Sequence, residues 1–257
     1  MSDPFLYSEA TGLRDAPAIL LLNSLGATHR MWDPQLKLLE SHFYVIRCDT
    51  RGHGQSSSPP GPYNFDDLVV DALQILNRHE VQRATIVGLS MGAMTALGIG
   101  LRAPERVEKI VFSAGRADAP DAFIKNWDDR IAMVQELGLD AVWARTEPTW
   151  FTDDFRNTNP DMISKIKQQF LMTDPAGYVG CCRALQQLDY LRLLNELEVT
   201  THCIAGSKDV AAPSKVVQSI ARACRNGTFS EIGGSAHLIN VNQPAAFNQV
   251  VSEFLDL

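Results

Sequence analysis

Residues 84–97 read Ala84-Thr85-Ile86-Val87-Gly88-Leu89-Ser90-Met91-Gly92-Ala93-Met94-Thr95-Ala96-Leu97. A short apolar run suited to a buried strand hands over to a helix-forming run across a Gly-x-Ser-x-Gly pentapeptide. In such a strand–turn–helix elbow the serine occupies a tight, strained turn, and the flanking glycines let strand and helix pass without side-chain collision. The serine then projects alone into a cleft, which makes Ser90 the candidate nucleophile. Three matched positions in five recur by chance in many proteins, so the weight lies on the strand–helix setting.

A serine hydroxyl is scarcely ionised at neutral pH, so it needs a base, and the base needs a third polar group to orient it. Where this elbow carries a triad the chain order is serine, acid, histidine, with the last two on loops after late strands. Thr201–Ala205 reads as a short buried strand followed by Gly206-Ser207-Lys208-Asp209, and Thr228–Ile232 as a strand followed by Gly233-Gly234-Ser235-Ala236-His237. Asp209 is the candidate acid and His237 the candidate base. An aspartate in such a loop also serves as a turn former or helix cap. Of the six histidines, His237 alone has the required order and loop. His53, in Asp49-Thr50-Arg51-Gly52-His53-Gly54, precedes the serine and reads as structural.

Acyl transfer also needs donors for the oxyanion, commonly the amide after the nucleophile and one from the loop after an early strand. The Met91 amide is the first. The apolar run Ala18–Leu22 is followed by Asn23-Ser24-Leu25-Gly26, where many esterases carry His-Gly, and the Leu25 amide is the second.

Strand-like runs at Ala18–Leu22, Phe43–Cys48, Ala84–Gly88, Lys109–Ala114, Thr201–Ala205 and Thr228–Ile232 alternate with helical ones at Trp32–Glu40, Phe65–His79, Met91–Leu101, Ser214–Ala223 and Pro244–Phe254. That alternation predicts an α/β fold with a mainly parallel central sheet and helices on both faces. Between about Ala114 and Thr200 the strand alternation stops, and helix-like segments such as Trp127–Leu137 and Asp161–Leu171 take over. Residues 117–187 are therefore expected to form an inserted helical cap, with 1–116 and 188–257 as the core. Trp127, Trp143, Trp150, Phe151 and Tyr178 are candidate pocket walls, although aromatics in such an insertion also simply fill its core.

The 257 residues carry a formal charge of −7 and a pI near 5.3. No basic run gathers the charge that a nucleic acid or an acidic membrane surface demands. Met1-Ser2-Asp3-Pro4-Phe5 lacks a signal-type basic and apolar segment, and no run is long enough to span a bilayer. A cytoplasmic protein acting on a small molecule, without nucleic-acid or membrane partner, is the expectation, with the oligomeric state open. The five cysteines, Cys48, Cys181, Cys182, Cys203 and Cys224, have no zinc-type spacing. They are expected to be reduced, and neither metal nor cofactor is expected. Adjacent Cys181 and Cys182 on a helix point apart, which favours packing over a redox pair.

Leu22-Asn23-Ser24-Leu25-Gly26, Met31-Trp32-Asp33, Cys48-Asp49-Thr50-Arg51-Gly52-His53-Gly54-Gln55-Ser56, Gly88–Gly92, Ala103-Pro104-Glu105-Arg106, Pro175-Ala176-Gly177-Tyr178 and Ala236-His237-Leu238 together resemble the β-ketoadipate enol-lactonases of the α/β-hydrolase superfamily. The resemblance spans almost the whole chain. Departures at Ala211-Ala212 and Ala93–Leu97 bear on the substrate rather than on the triad. It implies the α/β-hydrolase fold and hydrolysis of a small lactone bearing a free carboxylate, which would favour a cation near the pocket. Arg116, Lys125, Arg130 and Arg145 are available, and Arg130, with Trp127 and Trp150, is the preferred substrate-binding group. A carboxylesterase or carbon–carbon bond hydrolase would use the same triad under a different cap, and a slow ligand receptor could keep the scaffold.

Overall fold

The computed structural model describes residues 4–257; Met1–Asp3, the start of the amino-terminal stretch read above, lie outside the described residues. Seven strands form one sheet: β1 (Ser8–Gly12), β2 (Ala18–Leu22), β3 (Tyr44–Cys48), β4 (Ala84–Leu89), β5 (Val107–Ser113), β6 (Thr201–Gly206) and β7 (Gly227–Ile232), in the order β1-β3-β2-β4-β5-β6-β7. Every pairing is parallel except β1 with β3. The central strands β4 and β6 are buried at every position, as continuous apolar runs covered on both faces must be.

The six strands read from sequence are present, with ends shifted by a residue or two. The seventh, β1, was not anticipated. Ser-Glu-Ala-Thr-Gly is a half-buried antiparallel edge strand, so it carries neither the apolar run nor the β-branched enrichment that marks the others.

Helices α1 (Asp33–Leu39), α2 (Phe65–Arg78), α3 (Met91–Arg102), α8 (Ser214–Ala223), α9 (Ile239–Asn242) and α10 (Pro244–Leu255) belong to the core. Alternate residues of β5 show that they cover both faces. A side chain at Gly100 of α3 would meet Ile110, whereas the neighbouring Lys109 donates through Nζ to the Phe254 carbonyl of α10 at 3.0 Å. Helix α2 is nucleated by reciprocal caps. The Asn64 side chain accepts from the Asp67 amide at 2.9 Å, while the Asn64 amide donates to the Asp67 carboxylate at 3.0 Å. Its buried stripe runs Phe65, Leu68, Val69, Ala72, Ile75 and Leu76.

Between β5 and β6 lie α4 (Asp121–Trp150), α5 (Asp153–Thr158), α6 (Pro160–Leu171) and α7 (Pro175–Gln186). The two sequence-read helices of this region widen to four. Helix α4 is broken at Gly138, whose φ is 77°. The connections into and out of this helical insertion are tied side by side, since the amides of Tyr190 and Leu191 both donate to the Ala117 carbonyl at 2.8 Å. Helix α7 is anchored to the loop after β3 through Asp174, whose amide donates to Gly52 O at 2.9 Å and whose carboxylate accepts from Ser58 Oγ at 2.8 Å.

That loop is organised by Asp49. Its Oδ1 accepts from the His29 amide and lies 2.8 Å from His29 Nδ1, and its Oδ2 accepts from the Gln55 amide at 3.0 Å. Burial pushes this carboxyl up, but the bonds from His29 and Gln55 outweigh it, and the pKa lies below the usual aspartate value. A native pKa below the unfolded one contributes stability above pH ~4 that disappears as pH falls toward the native value. Asp49→Asn is therefore expected to lower unfolding free energy at pH 7 by about 2–4 kcal/mol. The variant should also lose less stability than the parent below pH ~4. Urea unfolding of both proteins from pH 7 to 3 checks this; parallel curves throughout would remove Asp49 as the acid-sensitive group.

Candidate active site

Sheet register sets where the chain can present reactive groups. Leu22 of β2 lies opposite Gly88 of β4, and Leu89 opposite Ser113 of β5, so the carboxyl ends of the central strands are level. Ser90 follows β4 with φ 57° and ψ −118°, a conformation that costs a non-glycine residue about 1–3 kcal/mol. It is held by the Ser90 amide donating to Ser113 O at 2.8 Å and by the Met94 amide donating to Ser90 O at 3.1 Å. A side chain on Gly88 would collide with the Gly92 carbonyl, and one on Gly92 with the Leu22 carbonyl. Both glycines are thus required by the crossing of strand and helix.

Asp209 and His237, 28 residues apart in the chain, meet at the ends of β6 and β7. His237 Nδ1 lies 2.8 Å from Asp209 Oδ2, and both side chains are buried. The other carboxylate oxygen accepts from the amides of Ala211 at 2.8 Å and Ala212 at 3.1 Å. A carboxylate can only accept, so the shared proton sits on Nδ1 and leaves Nε2 with a free lone pair. The His237 loop is tied to the end of α4: the His237 amide donates to Thr149 O at 3.4 Å, and the Leu238 amide to Trp150 O at 3.2 Å. Asn242 Nδ2 adds a bond to Trp150 O at 2.9 Å.

From Ser24 to Ala27, after β2, the amides are spent inward with one exception. Ser24 donates to Met31 Sδ at 3.4 Å, Gly26 to His53 Nε2 at 2.9 Å, and Ala27 to Ser24 O at 3.0 Å. Among the described residues the Leu25 amide has no such partner. Met91 opens α3, so its amide belongs to the turn that helix geometry leaves unpaired.

Of these groups, Leu25, Ser90 and His237 border one cleft of about 380 Å³, whose lining also includes Ser24, Trp127, Arg130, Trp150 and Tyr178. No aspartate or glutamate is among its described lining residues. Arg130 donates to Thr146 Oγ1 at 2.7 Å and approaches Tyr178 Oη at 3.4 Å, with its guanidinium carbon 5.6 Å from the Trp127 ring centre. It makes no ion pair with a carboxylate among the described residues. The Trp127 indole N–H is buried without an acceptor. Arg116 also lines the cleft, but Asp118 pairs with it at 3.1 Å.

The other sequence candidates lie elsewhere. Lys125 is exposed and paired with Asp129, and Arg145 is exposed. Trp143 and Phe151 are buried behind the wall, Trp143 edge-on to Trp150 at 5.9 Å. Thr146, Thr149 and Asn126 line the cleft without having been anticipated, since a threonine or asparagine on a helix carries no sequence signal distinguishing a cleft from solvent. His53 was read as structural, and its bond to Gly26, 27 residues away, has no local signature. Among the described residues no cluster of three His, Cys, Asp or Glu side chains could hold a metal, and no helix is long and apolar enough to cross a membrane.

Comparison with known proteins assigns the family. Residues 17–244 match the alpha/beta hydrolase fold family. A 3-oxoadipate enol-lactonase of Acinetobacter baylyi is 34% identical over 252 residues, covering 97% of this chain and 92% of that protein. The crystal structure of the enol-lactonase from Burkholderia xenovorans LB400 superposes with a TM-score of 0.93 at 32% identity, over 98% of this chain and 96% of that one. A putative carbamate hydrolase, RutD of Caulobacter segnis, is 28% identical across 93% of this chain and 91% of its own length. The chain belongs to the alpha/beta hydrolase fold family, in which it is similar to the 3-oxoadipate enol-lactonases.

Proposed function

We propose that this protein opens a small anionic lactone, 3-oxoadipate (β-ketoadipate) enol-lactone, by serine catalysis. The observation that carries the reading is Arg130, a cation without a carboxylate partner in a cleft whose described lining has no acidic residue and which also contains Ser90 and His237. A half-buried guanidinium among Thr146, Tyr178 and Trp127 is suited to a substrate carboxylate, because charge-assisted bonds gain strength as water is displaced. The unsatisfied indole N–H of Trp127 is a second donor to the same anion, and Trp150 is a wall of the pocket. Relatives named enol-lactonases support the choice of substrate.

In this reading His237 Nε2 takes the proton from Ser90 Oγ as that oxygen attacks the lactone carbonyl, and Asp209 stabilises the imidazolium. The amides of Leu25 and Met91 receive the oxyanion. Collapse breaks the ring carbon–oxygen bond; the leaving enol oxygen stays tethered, takes the proton from His237, and the enol tautomerises to the ketone. Water, deprotonated by His237, then attacks the acyl-enzyme and releases the acid and Ser90. Residues 117–187 act as the cap that carries Arg130 and limits water in the cleft. A cytoplasmic location accords with five free, buried cysteines.

Turnover of freshly generated enol-lactone beside a short p-nitrophenyl ester tests the substrate. Fast lactone opening lost by about 10⁴-fold or more in Ser90→Ala is the expected result. Ser90-dependent ester cleavage without lactone turnover would make the protein a carboxylesterase instead. Ser90→Gly should be equally inactive yet more stable than Ser90→Ala by about 1–2 kcal/mol in denaturant unfolding, because glycine adopts φ 57° without strain. Equal stability would mean that the elbow is unstrained.

Arg130→Gln is expected to raise KM for the anionic lactone by about 10–100-fold. The neutral ester should change by less than about twofold. Equal effects on both would remove Arg130 as the carboxylate's partner.

A further inference from the structure

We infer that His53 is a positioning residue that holds the Leu25 amide in its oxyanion-binding orientation; the inference rests on the serine mechanism proposed above. His53 is fully buried and does not line the cleft, so it cannot touch substrate directly. Both ring nitrogens are committed. Nδ1 is 3.0 Å from the Arg51 carbonyl, which can only accept, so Nδ1 carries the proton. Nε2 accepts the Gly26 N–H at 2.9 Å. The arrangement needs the neutral ring in that tautomer, because a proton on Nε2 would face the Gly26 N–H. Burial pushes the His53 pKa below the usual histidine value, outweighing the bond to Arg51 O and the charges of Asp49 and Asp174, which act the other way.

What this bond fixes is the peptide that follows Leu25. Ser24–Ala27 is a four-residue turn closed by Ala27 N–H to Ser24 O at 3.0 Å, with Gly26 at φ 80°. A positive φ at the third position marks a type II turn, which differs from type I by a rotation of the central peptide. That central peptide joins Leu25 to Gly26, and its N–H is the one His53 accepts. A side chain at Gly26 would also collide with the Phe170 ring of α6, so no other residue fits there. On the other side of Leu25, the Ser24 amide is held by Met31 Sδ at 3.4 Å. With the chain pinned before and after it, the Leu25 N–H remains the unspent donor of the turn and borders the cleft beside Ser90. Preorganised donors contribute to catalysis because they need no reorientation when charge develops. An unpinned turn forfeits that contribution without losing any contact to the ground-state substrate.

Two substitutions separate this from a merely structural role. His53→Asn can keep the bond to Arg51 O but is too short to reach Gly26, whereas His53→Gln can put an amide oxygen where Nε2 stands. For H53N, kcat on the p-nitrophenyl ester is expected to fall about 10–100-fold with KM within about twofold. Affinity for phenylboronic acid, which forms a tetrahedral adduct on the serine, should weaken by about the same factor as kcat. H53Q should recover most of both. A folded H53N with parental kcat and boronate affinity, a loss confined to KM, or an H53Q as impaired as H53N would each overturn the inference. If H53N does not fold, His53→Leu takes its place; if neither folds, the imidazole supports the core rather than the turn, and the inference falls. Ester turnover persisting in Ser90→Ala is a different outcome, which would overturn the serine mechanism itself.

Discussion

The close crossing of β4 and α3 sets the position of Ser90, around which the site is arranged. Gly88 and Gly92 bring the two elements to a separation at which either Cβ would strike a carbonyl, in the second case that of Leu22 on the neighbouring strand. Ser90 is consequently held at φ 57° by geometry on both sides and by its amide bond to Ser113. The strain is sustained because relieving it would separate α3 from a sheet whose core strands are completely buried. Level register across β2, β4 and β5 then brings the loop of Leu25 beside the elbow.

The helices inserted between β5 and β6 are joined to this framework around the cleft. The end of α4 carries Thr149 and Trp150, whose carbonyls receive the amides of His237 and Leu238, so the cleft wall and the candidate base share one hydrogen-bonded unit. Helix α7 brings Tyr178 to the cleft and is anchored through Asp174 to Gly52 and Ser58. Those residues sit in the same loop as His53, whose ring holds Gly26. The loop after β3 thus contacts both the cap and the turn after β2, and Asp49, with three bonds from His29 and Gln55, holds it in shape.

The sequence made legible what is local. The elbow is a five-residue pattern between two elements of different period, and the order Ser90, Asp209, His237 needs only the identification of β6 and β7 as buried apolar runs. The same logic failed for β1, where a half-buried edge strand has no apolar run to detect, and for the ends of α4, which continues through Pro148 and bends at Gly138. Arg130 stood out among four cations only through the chemistry implied by resemblance. What distinguishes it physically is that Arg116 and Lys125 found carboxylates and Arg145 is exposed, whereas Arg130 lines the cleft without one, a fact of tertiary structure. The pairing of His53 with Gly26 lies beyond sequence reading for the same reason, since a buried histidine's partner can be anywhere in the chain.

An unneutralised guanidinium in a half-buried position is unfavourable unless something accepts its charge, because desolvation weakens hydration faster than Thr146 and Tyr178, both neutral, can replace it. A chain selected for stability alone would pair Arg130 with an acid or replace it by a neutral side chain of similar volume. Its unpaired position in a cleft without described acidic residues supports the proposal of a ligand that brings the missing negative charge. The position of that charge also limits the reaction. A substrate anchored by its carboxylate at Arg130 and attacked at Ser90 must carry the two groups on one small skeleton, since the cleft is only about 380 Å³. In the reaction proposed above, hydrolysis of the acyl-enzyme would release a second carboxylate at the elbow while the first is still held at Arg130. The product then carries two negative charges in a cleft with one unpaired cation, and the new one faces amides preorganised for an oxyanion that has already collapsed. In that proposed reaction the asymmetry would favour departure of the product over rebinding.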